Sequence, residues 1–469
     1  MIKKMTCGEI AKACNGVFYG NEQEKERVAA GIALDSRKIE KDWVFVATVG
    51  EKVDGHSFIP QVFEKQAACV VSEKKLERPA GPYIYVESTF QALKDIAAYY
   101  RSILDVKVVG ITGSVGKTST KEMIAAVLGT KYRVQKTAGN FNNEVGLPLT
   151  VFSIGEEHDV AVLEMGISDF GEMHRLGKIA KPDIMVITNI GQCHLENLKT
   201  RDGILRAKTE VFDEMDDDSE VVLNGDDDKL AAISLVHGKA PHFFSRNGSG
   251  DISDGKEGKT LPEVYATDIE NLGLYGSRCT VHIGPESVAV RIPLPGEHMV
   301  LNALAAATVG HLLGLTPEEI AKGVGEVEAV GGRAHIVDTG RYTLIDDCYN
   351  ANPVSMKAAI DLLATANTRK TAVMGDMFEL GENENAFHRE VGAYAAEKGI
   401  DVIVCIGTLA AQMAEGAKKA WGKEVYHFAD KEAFLSHADE ILKSGDAVLL
   451  KASHGMHFEE LLEALKRTP

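Results

Sequence analysis

The chain lacks several features that would decide its class at once. It has no C-x-x-C pair, no G-x-S-x-G elbow, no surplus of basic residues and no apolar run long enough to span a membrane. Its seven cysteines (Cys7, Cys14, Cys69, Cys193, Cys279, Cys348 and Cys405) are odd in number and scattered. That fits neither a disulfide framework nor a thiolate zinc site, and it suits a reducing compartment. The opening residues, "MIKKMTCGEIAKACNG", carry lysines with no apolar segment behind them, so no secretory leader is expected. A cytoplasmic location without membrane insertion is the expectation. A formal net charge of −18 speaks against a nucleic-acid surface, although binding a nucleotide needs only local positive groups. Without the elbow, a Ser/His/Asp hydrolase is disfavoured. No internal repeat or heptad array is visible.

What the chain does have is size and one informative string. At 469 residues, 45% hydrophobic and 26% charged, it has the composition of a globular protein and a length suited to about three domains. In "VKVVGITGSVGKTSTKEMIAAVLG" an apolar β-branched run, Val106 to Thr112, predicts a buried strand. A turn follows at Gly113, Ser114, Val115 and Gly116. Lys117, Thr118 and Ser119 then open an amphipathic helix with Met123, Ile124, Val127 and Leu128 on its apolar face. Strand, glycine turn and helix N-terminus together make a phosphate site: backbone N–H groups converge there and the helix dipole favours an anion. Lys117 would reach the β/γ-phosphates and Thr118 would meet Mg²⁺. The match to G-x-x-x-x-G-K-[ST] is imperfect, because its first glycine falls on Ile111. A chance Gly-Lys-Thr in a βα turn is the plain alternative.

The phosphate loop lies too far along the chain for its domain to be the first. Residues 1–104 mix short strands ("VFVATV", "ACVVSE", "YIYVES") with helices and read as a separate domain. Strands and helices alternate over 105–315, where "DVAVLEMG" and "DIMVITNIG" look like buried parallel strands. Within this block 245–263 is polar and Gly-rich and predicts a loop. "YGSRCTVHI" with "SVAVRIPLP" predicts an edge hairpin, and "HMVLNALAAATVGHLLG" a helix. A third alternation over 316–469, with strands "YTLIDDCY", "KTAVMGDM", "DVIVCIG" and "DAVLLKAS", predicts a smaller Rossmann-like sheet. The fold class expected is α/β in three domains, the central one a P-loop parallel sheet.

Candidate site residues cluster after the phosphate loop. Glu164 ends a strand in "AVLEMG" and His194 follows one in "ITNIGQCHLENL", both at carboxyl ends, where such sheets bind ligands. Lys208 lies on a helix in "GILRAKTEVF", and Asn140, Asn142 and Asn143 crowd "GNFNNEVGLP". Each has an ordinary reading too: a solvated carboxylate, a hydrogen-bonded structural histidine, a surface lysine, a capped turn. Taken together they suit Mg²⁺ and anions. In "LIDDCYNANPVSMKAA", Asp346, Asp347, Tyr349, Asn350 and Asn352 stand between a strand and a helix. Aspartate there commonly holds ribose hydroxyls, and Asn352 is equally suited to cap the helix from Pro353. Arg333 in "GGRAHI" is a loop cation able to meet phosphate.

These strings resemble the Mur ligases, ATP-dependent amide-forming enzymes of peptidoglycan precursor synthesis, along nearly the whole chain. "DSRKIEKDWVFVATVGEKVDGHSFI" is similar to their amino-terminal uridine-nucleotide domain. "TGSVGKTSTK", "GNFNNEVGLP", "EMG", "TNIGQCHLENL" and "RAKTEVF" are similar to their ATPase domain. "DDCYNANPVSMKAA" and "GDMFELGENE" resemble the member that joins D-alanyl-D-alanine to UDP-N-acetylmuramoyl-tripeptide, working as a monomer. The resemblance implies ATP contacts at Gly113, Ser114, Val115, Gly116, Lys117, Thr118 and Ser119, with Asn302, Arg333 and Asp347 at adenine, phosphate and ribose. It implies Thr118 and Glu164 on one Mg²⁺, and Glu164, His194 and a carbamylated Lys208 on a second; a free ammonium cannot ligate a cation, whereas a carbamate can. Lys117, His194 and Lys208 would be catalytic. Ser36, Arg37, Asp54, Gly55 and His56 would hold the uridine nucleotide, Asn140, Asn142 and Asn143 the muramyl peptide, and Asn350 and Asn352 the incoming dipeptide. Three positions depart from the family strings: Met299 where an asparagine is frequent, and Ala452 and His454 where glycine and arginine are usual. Two other readings stay open on the residues alone. One is a ligase of the same architecture, folylpolyglutamate-synthase-like or cyanophycin-type; the other is a nucleotide-binding switch without turnover.

Overall fold

A computed structural model describes residues 3–50, 53–246, 262–329 and 331–467, and the backbone of a short strand pair, Ile252–Ser253 with Lys259–Thr260. The loop expected over 245–263 falls largely outside the described residues. The chain builds an α/β structure on three main sheets of five, nine and six strands. Among the described residues no helix is long and apolar enough to cross a membrane.

The nine-stranded sheet holds the centre. Its order runs from Glu286–Ile292 through Ser277–Ile283, Val264–Asn271, His242–Ser245, Glu220–Asn224, Ile184–Ile187, Lys107–Thr112 and Val160–Glu164 to Val134–Lys136. The strand Lys107–Thr112 is apolar on both faces because it pairs in parallel with a neighbour on each side. After it the chain winds to one side, through 134–136 and 160–164, and then crosses to the other at 184–187. Sheets of this kind open a ligand crevice at such a reversal, outside the carboxyl ends of the strands. The expected edge hairpin is present as the antiparallel pair Ser277–Ile283 and Glu286–Ile292.

The amino-terminal five-stranded sheet shares a core with the central one. Tyr100, on the helix Thr89–Ile103, is fully buried against Phe152 and donates to the Ile154 carbonyl at 2.6 Å. The six-stranded sheet has five parallel strands and one antiparallel edge, His335–Asp338, and two apolar layers of its own. One expectation needs correction. The helix Pro317–Gly325, assigned to the third block from residue 316, packs on the nine-stranded sheet instead. Ile320 and Val324 are buried in the central core with Val127 and Ile292, because the apolar stripe of this helix covers the edge hairpin and the helix Lys117–Leu128.

Candidate active site

The crevice is walled by the central sheet on one side and the six-stranded sheet on the other, around a cavity of about 690 Å³. On its floor the loop 113–116 joins strand to helix. Gly113 has φ +153°, and a Cβ there would stand 2.0 Å from the Thr188 hydroxyl, so the position requires glycine. Gly116, at φ +81°, caps the helix Lys117–Leu128. The strand end at 188–191 fixes the loop. Asn189 Oδ1 accepts from Val115 N at 3.0 Å, its Nδ2 donates to Val115 O at 2.9 Å, and Ser114 Oγ accepts from Gly191 N at 2.9 Å. With its own groups bonded sideways, the first turn of the helix is free to face an anion. Lys117 donates to the Gly113 carbonyl at 2.9 Å and stands on the cavity wall with Thr118 and Ser119.

Beside this loop lies a cation-competent set. Glu164, 2% exposed at the end of its strand, accepts from Asn142 Nδ2 at 2.9 Å through Oε1. Its other oxygen, Oε2, is buried with no hydrogen-bond donor, the nearest cation being Lys121 at 3.9 Å. A buried carboxylate oxygen without a donor is costly unless something positive meets it. His194 is held below the ordinary histidine range by burial and by the charges of Lys117 and Lys208, with Glu379 opposing. A neutral imidazole is the form that ligates metals. Lys208, 1% exposed, is no surface lysine; burial pushes its amine down to about 8. Among the described residues no cluster of three His, Cys, Asp or Glu side chains gathers for a metal. A cation here would therefore draw on Glu164, His194, the Thr118 hydroxyl, a modified Lys208 and substrate phosphates, which suits Mg²⁺.

The six-stranded sheet supplies the opposite wall. Arg333 lies 4.1 Å above the Tyr349 ring and reaches Thr118 Oγ1 at 3.4 Å, joining the two sheets across the phosphate loop. Asp347 accepts from Ala334 N at 3.1 Å and from Lys451 Nζ at 2.6 Å. Lys451, almost fully buried at the end of Ala447–Lys451, also donates to the Asn350 carbonyl at 2.9 Å. Asn302 lines the same cavity and accepts from Thr120 Oγ1 at 3.0 Å.

Comparison with known proteins bears on this geometry. Residues 111–310 match the family described as Mur ligase middle domain, residues 332–454 that described as Mur ligase, glutamate ligase domain, and residues 29–101 that described as Mur ligase family, catalytic domain. The UDP-N-acetylmuramoyl-tripeptide–D-alanyl-D-alanine ligase of Bacillus subtilis is 39% identical over the full length of both chains. The chain belongs to the Mur ligase family. Among solved structures, MurF from Acinetobacter baumannii superposes with a TM-score of 0.88 at 31% identity, covering all of both chains. MurF ligase from Thermotoga maritima, in complex with ADP, gives 0.79 at 28% identity, covering 93% of this chain and 97% of that one.

Not every residue singled out in the sequence of this Mur ligase lines the cavity. Asn142 and Asn143 do; Asn140 stands exposed outside it. Asn352 lines it but also caps the helix Pro353–Ala364, its Oδ1 accepting from Ser355 N at 2.9 Å. The amino-terminal group lies apart from the cavity. Arg37 is 87% exposed and forks onto Asp35, and Ser36 lends its carbonyl to Lys65. Asp54 accepts from His56 N, His56 Nδ1 and Lys74 Nζ, which hold its carboxyl well below the usual carboxylate range. A Cβ at Gly55 would press to 2.7 Å from the Thr48 carbonyl, so the turn needs its glycine. Of the departures, Met299 is buried in the central core and its sulfur accepts from Asn302 Nδ2 at 3.3 Å, while His454 leans on the Tyr349 ring at 5.4 Å. Sequence reasoning missed Lys451, Asn189, Glu379 and Lys121. The only signal for Lys451 was a lysine closing an otherwise apolar strand.

Proposed function

We propose that this Mur ligase joins D-alanyl-D-alanine to the peptide of UDP-N-acetylmuramoyl-tripeptide, with ATP converted to ADP and phosphate. The observation that carries the reading is the single cavity in which the phosphate loop and the donorless carboxylate of Glu164 face Arg333, Asp347 and Lys451. The substrates named are those in the names of the full-length relatives.

The chemistry runs in two displacements. The terminal carboxylate of the tripeptide attacks the γ-phosphorus of ATP, the bond to the β,γ-bridging oxygen breaks, and ADP departs. The dipeptide amine then attacks the acyl-phosphate carbon and loses a proton; phosphate leaves with one oxygen of the original carboxylate. Lys117, the N–H groups of residues 114–119 and Arg333 spread the charge that builds on the transferring phosphoryl group. Asp347 holds the ribose and Asn302 the adenine. Thr118 and Glu164 would hold one Mg²⁺, and Glu164, His194 and Lys208 a second, where the metal would offset the charge of the phosphates. Lys208 acts as its carbamate. Its depressed amine supports this, since the neutral amine is the form that adds CO₂, with loss of a proton. Two facing walls keep water from the acyl phosphate.

The uridine nucleotide binds through Ser36, Arg37, Asp54, Gly55 and His56, the muramyl peptide through Asn140, Asn142 and Asn143, and the dipeptide near Asn350 and Asn352. We propose three domains, the first over 1–104. The boundary between the second and third is better drawn at about 328–331, because the helix Pro317–Gly325 packs on the central sheet. A cytoplasmic monomer completes the proposal. The test is mass analysis of reactions holding ATP, D-alanyl-D-alanine and UDP-N-acetylmuramoyl-tripeptide with either meso-diaminopimelate or L-lysine third. A pentapeptide product with stoichiometric ADP is expected from at least one. ADP release without a joined product would reject the ligase reading.

A further inference from the structure

One contact across the cavity has no part in the chemistry above. Glu379, from the six-stranded sheet's side, places Oε2 at 3.0 Å from Nδ1 of His194 on the central sheet's side. Both partners have left-handed backbones, φ +62° at Glu379 and +49° at His194. Neither is glycine, and such a conformation costs of order 1 kcal/mol or more and persists only where its surroundings enforce it. The surroundings of Glu379 do so. Met377 N donates to His388 Nε2 and Phe378 N to Ser453 Oγ, both at 2.9 Å, and Leu380 is buried in the apolar layer behind. The loop is pinned on both sides of a glutamate whose side chain stands 65% exposed toward the other sheet. A second contact lies beside it: a Cβ on Gly381 would stand 3.8 Å from the Cα of Glu196, on the short helix that follows His194.

The bond has a chemical consequence. An ionised carboxylate only accepts, so Nδ1 of His194 must carry the proton and Nε2 the lone pair. The two nitrogens of a histidine are set against each other in this way wherever imidazole ligates a metal, and the outer partner fixes both tautomer and ring direction. Of the charged side chains that bear most on His194, Glu379 is the carboxylate, while Lys117 and Lys208 are cationic.

We propose that Glu379 is a positioning residue for the cation site: it holds His194 in the Nδ1–H tautomer with Nε2 free for metal, so the site on the central sheet is complete only while the six-stranded sheet stands against it. The proposal rests on the reading of His194 as a metal ligand. Cation binding and approach of the two sheets then strengthen each other by the same factor, as linkage requires.

The test uses the full chain saturated with a non-hydrolysable ATP analogue. Mn²⁺, as a spectroscopically visible stand-in for Mg²⁺, is titrated and the free ion counted by electron paramagnetic resonance. Wild type is compared with Glu379→Ala, Glu379→Gln, His194→Ala and the Glu379→Ala/His194→Ala double variant, each checked for native circular dichroism. Glu379→Ala should weaken the histidine-dependent site about 10-fold or more, the range for lost outer partners of metal ligands. Glu379→Gln, whose amide oxygen still accepts from Nδ1–H, should stay within about 3-fold of wild type. The double variant should bind no more weakly than His194→Ala, because the two residues act as one unit. Wild-type affinity in Glu379→Ala beside a weakened His194→Ala would overturn the proposal and leave the metal reading standing. Wild-type affinity in His194→Ala would overturn both. Equal losses in the alanine and glutamine variants, or additive losses in the double variant, would replace orientation by plain charge and equally overturn it.

Discussion

Lys451 is the residue through which the structure can be tested most severely, because sequence reasoning passed it over. Its ammonium, 3% exposed, bonds Asp347 Oδ2 at 2.6 Å, the Asn350 carbonyl at 2.9 Å and the Asp347 carbonyl at 3.3 Å. Lys451→Met keeps the length and apolar stem but removes all three bonds. Asp347 would keep one donor, Ala334 N at 3.1 Å. Breaking a buried pair from one side costs about 3–5 kcal/mol. Asp347 is 15% exposed and borders the cavity, so water can reach the orphaned carboxylate and a loss near the lower end of that range, about 3 kcal/mol, is expected. The loop 347–352 should lose its place along with the pair. If Asp347 holds ribose, losing that charge-assisted bond, worth about 1.5–3 kcal/mol, raises the KM for ATP roughly 10- to 150-fold. Lys451→Arg restores charge but not shape in a closed pocket and should recover only part of either loss. Urea unfolding by circular dichroism reads the first quantity, and ADP release against ATP concentration the second. Unchanged values of both in Lys451→Met would refute the ion pair as the brace of the nucleotide wall.

The other predictions are shorter. Lys117→Ala should leave folding intact and reduce ADP release by several orders of magnitude, as expected when several kcal/mol of phosphoryl-charge stabilisation is removed; near-normal release would reject the phosphate-loop assignment. Arg37→Ala should raise the KM for the UDP-sugar peptide and leave that for ATP alone; equal damage to both would mean a folding role. Lys208→Ala should abolish turnover, with partial return on adding a small carboxylate; wild-type turnover in Lys208→Ala or Lys208→Arg would dismiss the carbamate. Glu144 is raised by burial and lowered more by Arg175 and Lys94, for a net depression. A depressed carboxyl stabilises the fold above its unfolded value and loses that contribution as pH falls through the folded one. The contact between the helix Thr89–Ile103 and the 143–145 turn should therefore weaken on acidification below about pH 4.5, and Glu144→Gln should flatten that limb of a plot of unfolding midpoint against pH.

How much of this could be read from the chain depended on distance along it. The phosphate loop was legible because its parts are contiguous: an apolar strand, two glycines and a Lys-Thr pair at a helix start. Glu164 was legible as a residue closing a strand, and His194 as one following a strand, at the ligand-binding end of a parallel sheet. Lys451 was not, since its partner Asp347 lies 104 residues earlier and only the adjacency of two parallel strands brings them together. Glu379 was equally hidden, its partner being on another sheet. The strands His335–Asp338 and Glu424–Phe428 escaped notice because edge strands are short and half-exposed, without the apolar run that marks central ones. The helix Pro317–Gly325 was put in the wrong block because its stripe of Ile320 and Val324 says that it packs, not on what.

The central claim is that ATP activates the substrate carboxylate as an acyl phosphate before the dipeptide amine attacks it. Oxygen-18 in the terminal carboxylate of the UDP-N-acetylmuramoyl-tripeptide follows that step atom by atom. In a complete reaction with D-alanyl-D-alanine, the account predicts one labelled oxygen in each phosphate released and the other in the new amide. Label-free phosphate, with both labelled oxygens left on the tripeptide, would mean that water rather than the carboxylate receives the phosphoryl group, and would contradict it.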